Sequence, residues 1–235
     1  MKQDGNPPDG AEAILPTEDQ IVRRIHDAVI EQRLPPGTKL SEATLCEAFG
    51  VGRARVRRSL LLLAGREIVE LQPNRGAFVA RPTPAQARDV FDARREIEPG
   101  IVRRAAASAR PQDLLRLREH GRAEAGAHRH TDRRDAIRLS GEFHVLLAEI
   151  AGNRVLERVV GELVTRSSLI IALFGARTEN CRSGEHDRIL DAIATRDEAR
   201  GAHLMFDHLA QIEAGLDLVG DRAPAVDVMA VFAGA

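Results

Sequence analysis

The chain has no tryptophan and no tyrosine, and its 235 residues include only seven phenylalanines. Binding of single strands or RNA by base stacking needs aromatic platforms, so that mode of nucleic-acid recognition is excluded. Two cysteines, Cys46 and Cys181, are too few for a disulfide scaffold and suit a reducing cytoplasm. A run of about 18 apolar residues is missing, which argues against a membrane-spanning helix. The opening MKQDGNPPDG shows neither the basic start nor the apolar core of a secretory signal. What is present is 43% hydrophobic and 29% charged, the balance of a soluble globular chain of one large domain or two modest ones.

An overall excess of charge is absent as well, since 34 Lys/Arg against 35 Asp/Glu leave a net of −1. The average hides an asymmetry. Residues 17–82 hold 11 Lys/Arg against 8 Asp/Glu, and within 51–81 the count is seven arginines against two glutamates. A small basic module ahead of an acidic remainder raises the question of DNA.

Residues 1–16, rich in Gly, Pro and Asp without periodicity, read as a disordered arm. Helical periodicity begins at Glu18, with Thr17 placed as N-cap and Ile21, Ile25 and Val29 on one face. LPPGTKL ends that helix. Ser41 opens a short second helix through Phe49, and a third runs from Arg53 to Arg66 with Val56, Leu60 and Leu63 inward. IVELQ and AFVA around PNRG read as a hairpin. RPTPAQ (81–86) reads as a linker. Six helices follow, at about 84–108, 111–128, 131–151, 153–178, 184–195 and 197–218, joined by short turns as in an antiparallel bundle. Residues 219–235 form a tail that either docks as a short helix or frays. The fold class is therefore mainly α, with a winged helix-turn-helix at residues 17–82 and a helical domain at 83–218.

In the basic module, GVGRARVRRSL supplies the recognition helix. Arg53 stands at its start, where a guanidinium can lie beside guanine O6/N7 or a phosphate, and Arg57 follows one turn later on the same face. Arg55 and Arg58 point elsewhere and suit phosphate contacts. At the hairpin tip, Arg75 offers a charge and Gly76 lets the wing approach DNA without a side chain in the way. The competing reading is a solvated arginine-rich helix. PPGTKLSEATLCEAFGVGRARVRRSLLLLAGREIVELQPNRGAFVA resembles the DNA-binding domain of GntR-type bacterial transcription regulators, through PGT-x-L-SE, GV-x-R-x-x-VR and RGAFV. The resemblance implies that Arg53 and Arg57 read an operator and that Gly76 belongs to the wing. It also implies a double-stranded DNA partner, a homodimer and, in most cases, repression. Two departures bear on the operator sequence: Ala43 replaces an arginine, and Gly52-Arg53-Ala54-Arg55 replaces Ser-Arg-Thr-Pro.

In the helical module three histidines stand out. His144 lies mid-helix, His186 opens the next-to-last helix and His208 sits in the last; the interval of 22 between the latter two fits antiparallel helices. Three imidazoles converging inside a bundle suit a divalent transition metal, whereas each taken alone suits a buried, hydrogen-bonded histidine. Residues 88–218 resemble the FCD effector domain through ARREIEPGIVRRAA, the FH and AGN of the third bundle helix, EH-x-x-I-L-x-A-I and LM-x-x-HL. The resemblance implies zinc or nickel held by one acidic residue and three histidines, which fall at His144, His186 and His208. It also implies a small carboxylate effector. Ser140 stands where the acidic ligand normally does, and Arg94 matches a family arginine near the effector pocket. Without that carboxylate the ion is expected to stay dipositive and open, favouring an anionic effector; otherwise the three histidines hydrogen-bond the effector with no metal. Arg166 lies in a largely apolar helix, where it either pairs with an effector carboxylate or snorkels to solvent. Cys181, His128 and His130 receive no role.

The leading expectation is a cytoplasmic, ligand-responsive, homodimeric transcription factor rather than an enzyme. A metal-dependent hydrolase would need a general base, and no H-E-x-x-H arrangement supplies one. A constitutive DNA-binding protein with a vestigial pocket is the third reading.

Overall fold

The computed structural model describes residues 15–129, 133–175, 184–218 and 226–232. Its N-terminal unit starts with α1 (Glu18–Ile30), held at its first turn by a capping box in which Thr17 and Gln20 exchange side chain–backbone hydrogen bonds. Ile21, Ile25, Ala28 and Val29 are buried along one stripe, as the spacing of four requires. After the proline-rich turn come α2 (Glu42–Phe49) and α3 (Arg53–Gly65). Gly50 joins them in the left-handed region at φ 65°, where a side chain would be strained. α3 turns Val56, Leu60 and Leu63 inward, as expected.

The hairpin forms from β2 (Val69–Gln72) and β3 (Gly76–Val79), in register Leu71↔Ala77 and Gln72↔Gly76. A further strand that the sequence reading did not include, β1 (Lys39–Leu40), pairs antiparallel on the other side of β3. Two residues are too short to show a period, so β1 left no signal of its own.

The second unit is helical: α4 (Pro84–Ser108), α5 (Pro111–Arg129), α6 (Arg133–Ile150), α7 (Arg154–Phe174), α8 (Glu185–Ala194) and α9 (Glu198–Ala214). Thr83 and Gln86 close a second capping box with Pro84 in the first turn, so the helix begins inside the stretch read as linker. Expected helix ends at 178 and 218 fall earlier, at Phe174 and Ala214, because Gly175 and Gly215 take over there. α4 runs through the middle of the bundle and packs most extensively on α9. Gly201 permits that approach: a Cβ there would meet Val102 Cγ1 at 2.8 Å. Beyond α9, Leu216 bridges to Gly175, and a short α10 (Val228–Phe232) forms within the segment expected to dock or fray.

The two units share a core. Leu169 of α7 and Val228 and Phe232 of α10 are buried in the same apolar cluster as Ile21, Leu45, Phe49 and Leu63 of the N-terminal unit. His26 Nε2 lies 2.8 Å from Thr165 Oγ1 across this seam. No helix among the described residues is long and apolar enough to cross a membrane.

Candidate functional site

Two separate constellations carry chemistry. The first is the exposed start of α3. Arg53, Arg57 and Arg58 are exposed there, and Arg55 is half-buried because its guanidinium donates to the Pro16 carbonyl at 3.0 Å. Arg57 pairs with Glu42 at 2.7 Å and Arg58 with Glu18 at 2.5 Å, both in solvent, where such pairs contribute little and exchange readily for a phosphate. At the wing, Arg75 lies over the Phe78 ring at 5.4 Å and Gly76 takes φ 98°, a conformation that disfavours any side chain.

The second constellation is buried in the bundle. α6 presents His144, α8 His186 and α9 His208, with relative exposures of 2%, 6% and 1%. One ligating nitrogen from each lies within 4.8 Å of the others. Behind each ring stands a buried glutamate. Glu98 of α4 takes His144 Nδ1 at 2.5 Å, Glu124 of α5 takes His186 Nδ1 at 2.8 Å, and Glu185 takes His208 Nδ1 at 2.7 Å. A carboxylate only accepts, so each Nδ1–H donates, which in a neutral ring leaves Nε2 its lone pair. His186 Nε2 and His208 Nε2 then face one another at 3.1 Å.

The electrostatics agree. Burial, the largest influence on both rings, pushes His144 down to about 3 and His186 well below the ordinary imidazole value, so both are neutral at physiological pH. Glu98 is lowered although burial opposes it, because the Arg94 guanidinium and His144 outweigh the desolvation. Glu185 is lowered in the same contest, chiefly by the His208 hydrogen bond. Arg94, 3% exposed, donates to Glu98 at 2.5 Å and to Ser167 Oγ at 3.1 Å, so it stands one contact behind His144.

The sequence reading did not assign these carboxylates to the site. Glu185 was visible in the EH pair, and Glu98 lies one helical turn from Arg94; Glu124 gave no signal, because α5 showed no match to the site. His120, also unassigned, donates its Nε2–H to the Leu139 carbonyl at 2.7 Å, and its ring is 6.4 Å from Phe143, which stacks on His186 at 4.1 Å. His120 also lines a cleft of about 1110 Å³ between α1 and α5–α7.

One expectation needs correction, and two side chains lie apart from the imidazoles. Arg166 does not join the imidazoles: its guanidinium pairs with Glu67 at 2.9 Å, because this turn of α7 faces the N-terminal unit. The expected lack of negative charge around the imidazoles does not hold either. Ser140 is half-buried one turn before His144 and brings no charge, but three glutamates supply it from behind the rings. Glu142, two residues before His144, pairs with Arg138 at the surface at 2.8 Å. Cys181, His130 and the side chain of His128 lie outside the described residues.

Residues 89–211 match the FCD domain, and residues 17–79 match the gntR family of bacterial regulatory proteins. The HTH-type transcriptional repressor RspR of Escherichia coli K12 is 30% identical over 136 residues, which is 58% of this chain and 60% of that protein. The chain thus spans less than two thirds of the length of that relative. An uncharacterised HTH-type regulator of Streptomyces ambofaciens is 28% identical over 87% of this chain and 86% of its own length, and Bacillus subtilis LutR is 28% identical over 77% and 92%. Among solved structures, a GntR regulator from Rhodococcus sp. RHA1 superposes with a TM-score of 0.75 at 23% identity, covering 84% of this chain and 95% of the other. Escherichia coli McbR/YncC gives 0.75 at 20%, covering 86% and 97%. These two share the fold.

Proposed function

The chain belongs to the GntR family of bacterial regulatory proteins and carries an FCD domain behind its winged helix-turn-helix; from that premise we propose that it is a cytoplasmic, DNA-binding transcriptional regulator whose operator affinity follows the occupancy of the imidazole cluster. The observation that carries the reading is the pairing, on one chain, of exposed arginines at the start of α3 with three buried imidazoles whose lone pairs converge.

In this reading Arg53 and Arg57 contact base edges in the major groove, Arg55, Arg58 and Arg75 contact phosphates, and Gly76 brings the wing close to the backbone. A homodimer places two such helices on successive half-sites. His144, His186 and His208 hold a zinc or nickel ion. The donor set suits either: three imidazoles, each oriented by a carboxylate on its other nitrogen, with the Nε2 atoms of His186 and His208 facing one another at 3.1 Å. Such an ion would supply Lewis-acid attraction for an oxygen ligand.

The effector is a small carboxylate. Three N–H groups of Arg94 are committed to Glu98 and Ser167, and the rest of the guanidinium is what an incoming carboxylate meets. Binding shifts the population toward an arrangement of lower operator affinity, which amounts to repression relieved by the metabolite.

Fluorescence anisotropy on labelled duplex from the DNA upstream of the gene tests this. The wild type is expected to bind more tightly than to scrambled duplex of equal length, and the Arg53→Ala/Arg57→Ala double variant to lose that preference while keeping salt-dependent, non-specific binding. Equal preference in both proteins overturns the assignment of α3.

A further inference from the structure

Three arginines of α3 are held by neighbours, and they are held by different atoms. Arg55 turns its Nη1 back to the Pro16 carbonyl at 3.0 Å. Arg57 and Arg58 are each engaged through Nε alone, by Glu42 at 2.7 Å and by Glu18 at 2.5 Å. Among the described residues, Nη1 and Nη2 of both meet no partner, and Arg53 meets none at all. A guanidinium held at Nε keeps Nη1 and Nη2 side by side, the edge that matches guanine O6 and N7.

Glu42 is the first residue of α2, where a carboxylate also suits the positive end of the helix. The Arg57 side chain therefore reaches from α3 to the start of α2 and spans both helices of the helix-turn-helix. Glu18 holds Arg58 from α1 instead.

The two pairs differ in what a duplex would do to them. A phosphate carries no sequence information, so Arg58 loses nothing by leaving Glu18 for one. For Arg57, assigned above to a base edge, the same exchange would tie the charge to the backbone. Glu42 opposes that exchange. A phosphate drawn to the Nη edge approaches the Glu42 carboxylate, anion against anion across one guanidinium. Guanine O6 and N7 carry no net charge and meet no such repulsion. The same carboxylate narrows the rotamers of a long side chain before DNA arrives, so less freedom is lost on binding.

We propose that Glu42 is a positioning residue for operator recognition: it holds Arg57 by Nε, so that the Nη edge meets a guanine and stays off the phosphates. This rests on the assignment of α3 to the major groove. Glu42 itself touches no base.

Fluorescence anisotropy on the full chain tests it, with the duplex from upstream of the gene and a set in which each base pair is replaced in turn. The base pair read by Arg57 is the one at which Arg57→Ala loses discrimination. At that pair Glu42→Ala is expected to lose roughly fivefold or more of the discrimination, part of what one bidentate contact supplies. On scrambled duplex Glu42→Ala should bind more tightly than the wild type, with a salt dependence steeper by about one phosphate contact. In the Arg57→Ala background, Glu42→Ala should remove no further discrimination. Glu18→Ala, which frees an arginine assigned to phosphates, should leave discrimination at that pair as it is. Unchanged discrimination in Glu42→Ala overturns the proposal, as does an equal loss in Glu18→Ala. A further loss in the Arg57→Ala background overturns it too, by making Glu42 a direct reader. Weaker binding to specific and scrambled duplex alike, with a lowered melting temperature, would make Glu42 merely structural. If Arg57→Ala itself changes no position, the assignment of α3 falls, and the role of Glu42 falls with it.

Discussion

His186 and His208 face each other through their Nε2 atoms at 3.1 Å, each ring held from behind by a glutamate on Nδ1. With each Nδ1 committed to a carboxylate, the two Nε2 atoms are the ones that face a cation, and a dication between the rings would take a bond from each. Dialysed protein is therefore expected to retain or take up about one equivalent of zinc or nickel per chain, and His186→Ala and His208→Ala to lose it. Metal added at 100 times its Kd should raise the unfolding free energy by about 2.7 kcal/mol, and a chelator should remove that gain. Metal analysis together with calorimetry checks this; equal metal content in wild type and variants removes the three-histidine site.

The carboxylates behind the rings make a more specific claim. Glu185→Gln keeps the shape and an oxygen able to accept from His208 Nδ1 but deletes the charge that raises the ring's basicity. Metal affinity is expected to fall about 10- to 100-fold. The metal-free fold should change by no more than about 1–2 kcal/mol, since one charge-assisted hydrogen bond becomes a neutral one. Isothermal titration with zinc reads the first quantity and chemical denaturation after chelation the second. A large loss of fold stability with unchanged metal affinity would make Glu185 merely structural.

These glutamates also mark how far the sequence could be read. Ile21, Ile25, Val56 and Leu60 announced their helices because burial of one face imposes a period, and Thr17 announced a start because capping chemistry is local. The trio His144, His186 and His208 was legible through its resemblance to a known domain, and the structure brings the three together. Glu124 was not legible. It meets His186 across 62 residues, and nothing near it in sequence records that contact. Arg166 kept two readings for a related reason: a charge inside an apolar helix shows that something meets it, but not which unit supplies the partner. Its partner Glu67 lies in the other domain.

Acid should destabilise the metal-free protein well above the ordinary carboxylate range. His144 is lowered to about 3 in the folded state and His186 well below the ordinary imidazole value, so as the pH falls below that ordinary value the unfolded chain binds protons that the folded chain refuses. Stability therefore falls as the pH drops below it. Glu98, lowered by Arg94 and His144, adds a loss in the same direction once the pH passes below the unfolded carboxylate value. Urea denaturation of chelated protein at pH 7.5, 6 and 5, as about three spaced points, is expected to show a monotonic decline on the order of a few kcal/mol. His144→Gln, which has no proton to gain, should flatten the upper part of that decline. A flat wild-type profile between pH 7 and 5 would mean that these rings are not buried in neutral form.

Leu169 offers a test of the shared core. It belongs to α7 by sequence but is 1% exposed among Ile21, Leu45 and Leu63 of the DNA-binding unit. Leu169→Ala leaves a void where the surrounding helices cannot easily close, at a cost of roughly 2–5 kcal/mol. If the two units were independent, that loss would fall on the bundle, which contains the residue. Because the side chain sits in the other unit's core, the amides of α1 and α3 should lose protection first, ahead of α4 and α9. The Arg166–Glu67 pair is partly exposed and flanks the same contact, so Glu67→Gln is expected to cost far less, within about 1 kcal/mol. Hydrogen exchange resolved by segment reads both; circular dichroism must follow the melt, since a chain without tryptophan or tyrosine has no useful intrinsic fluorescence. Loss of protection confined to the bundle in Leu169→Ala would show that the seam between the units does not carry load in solution.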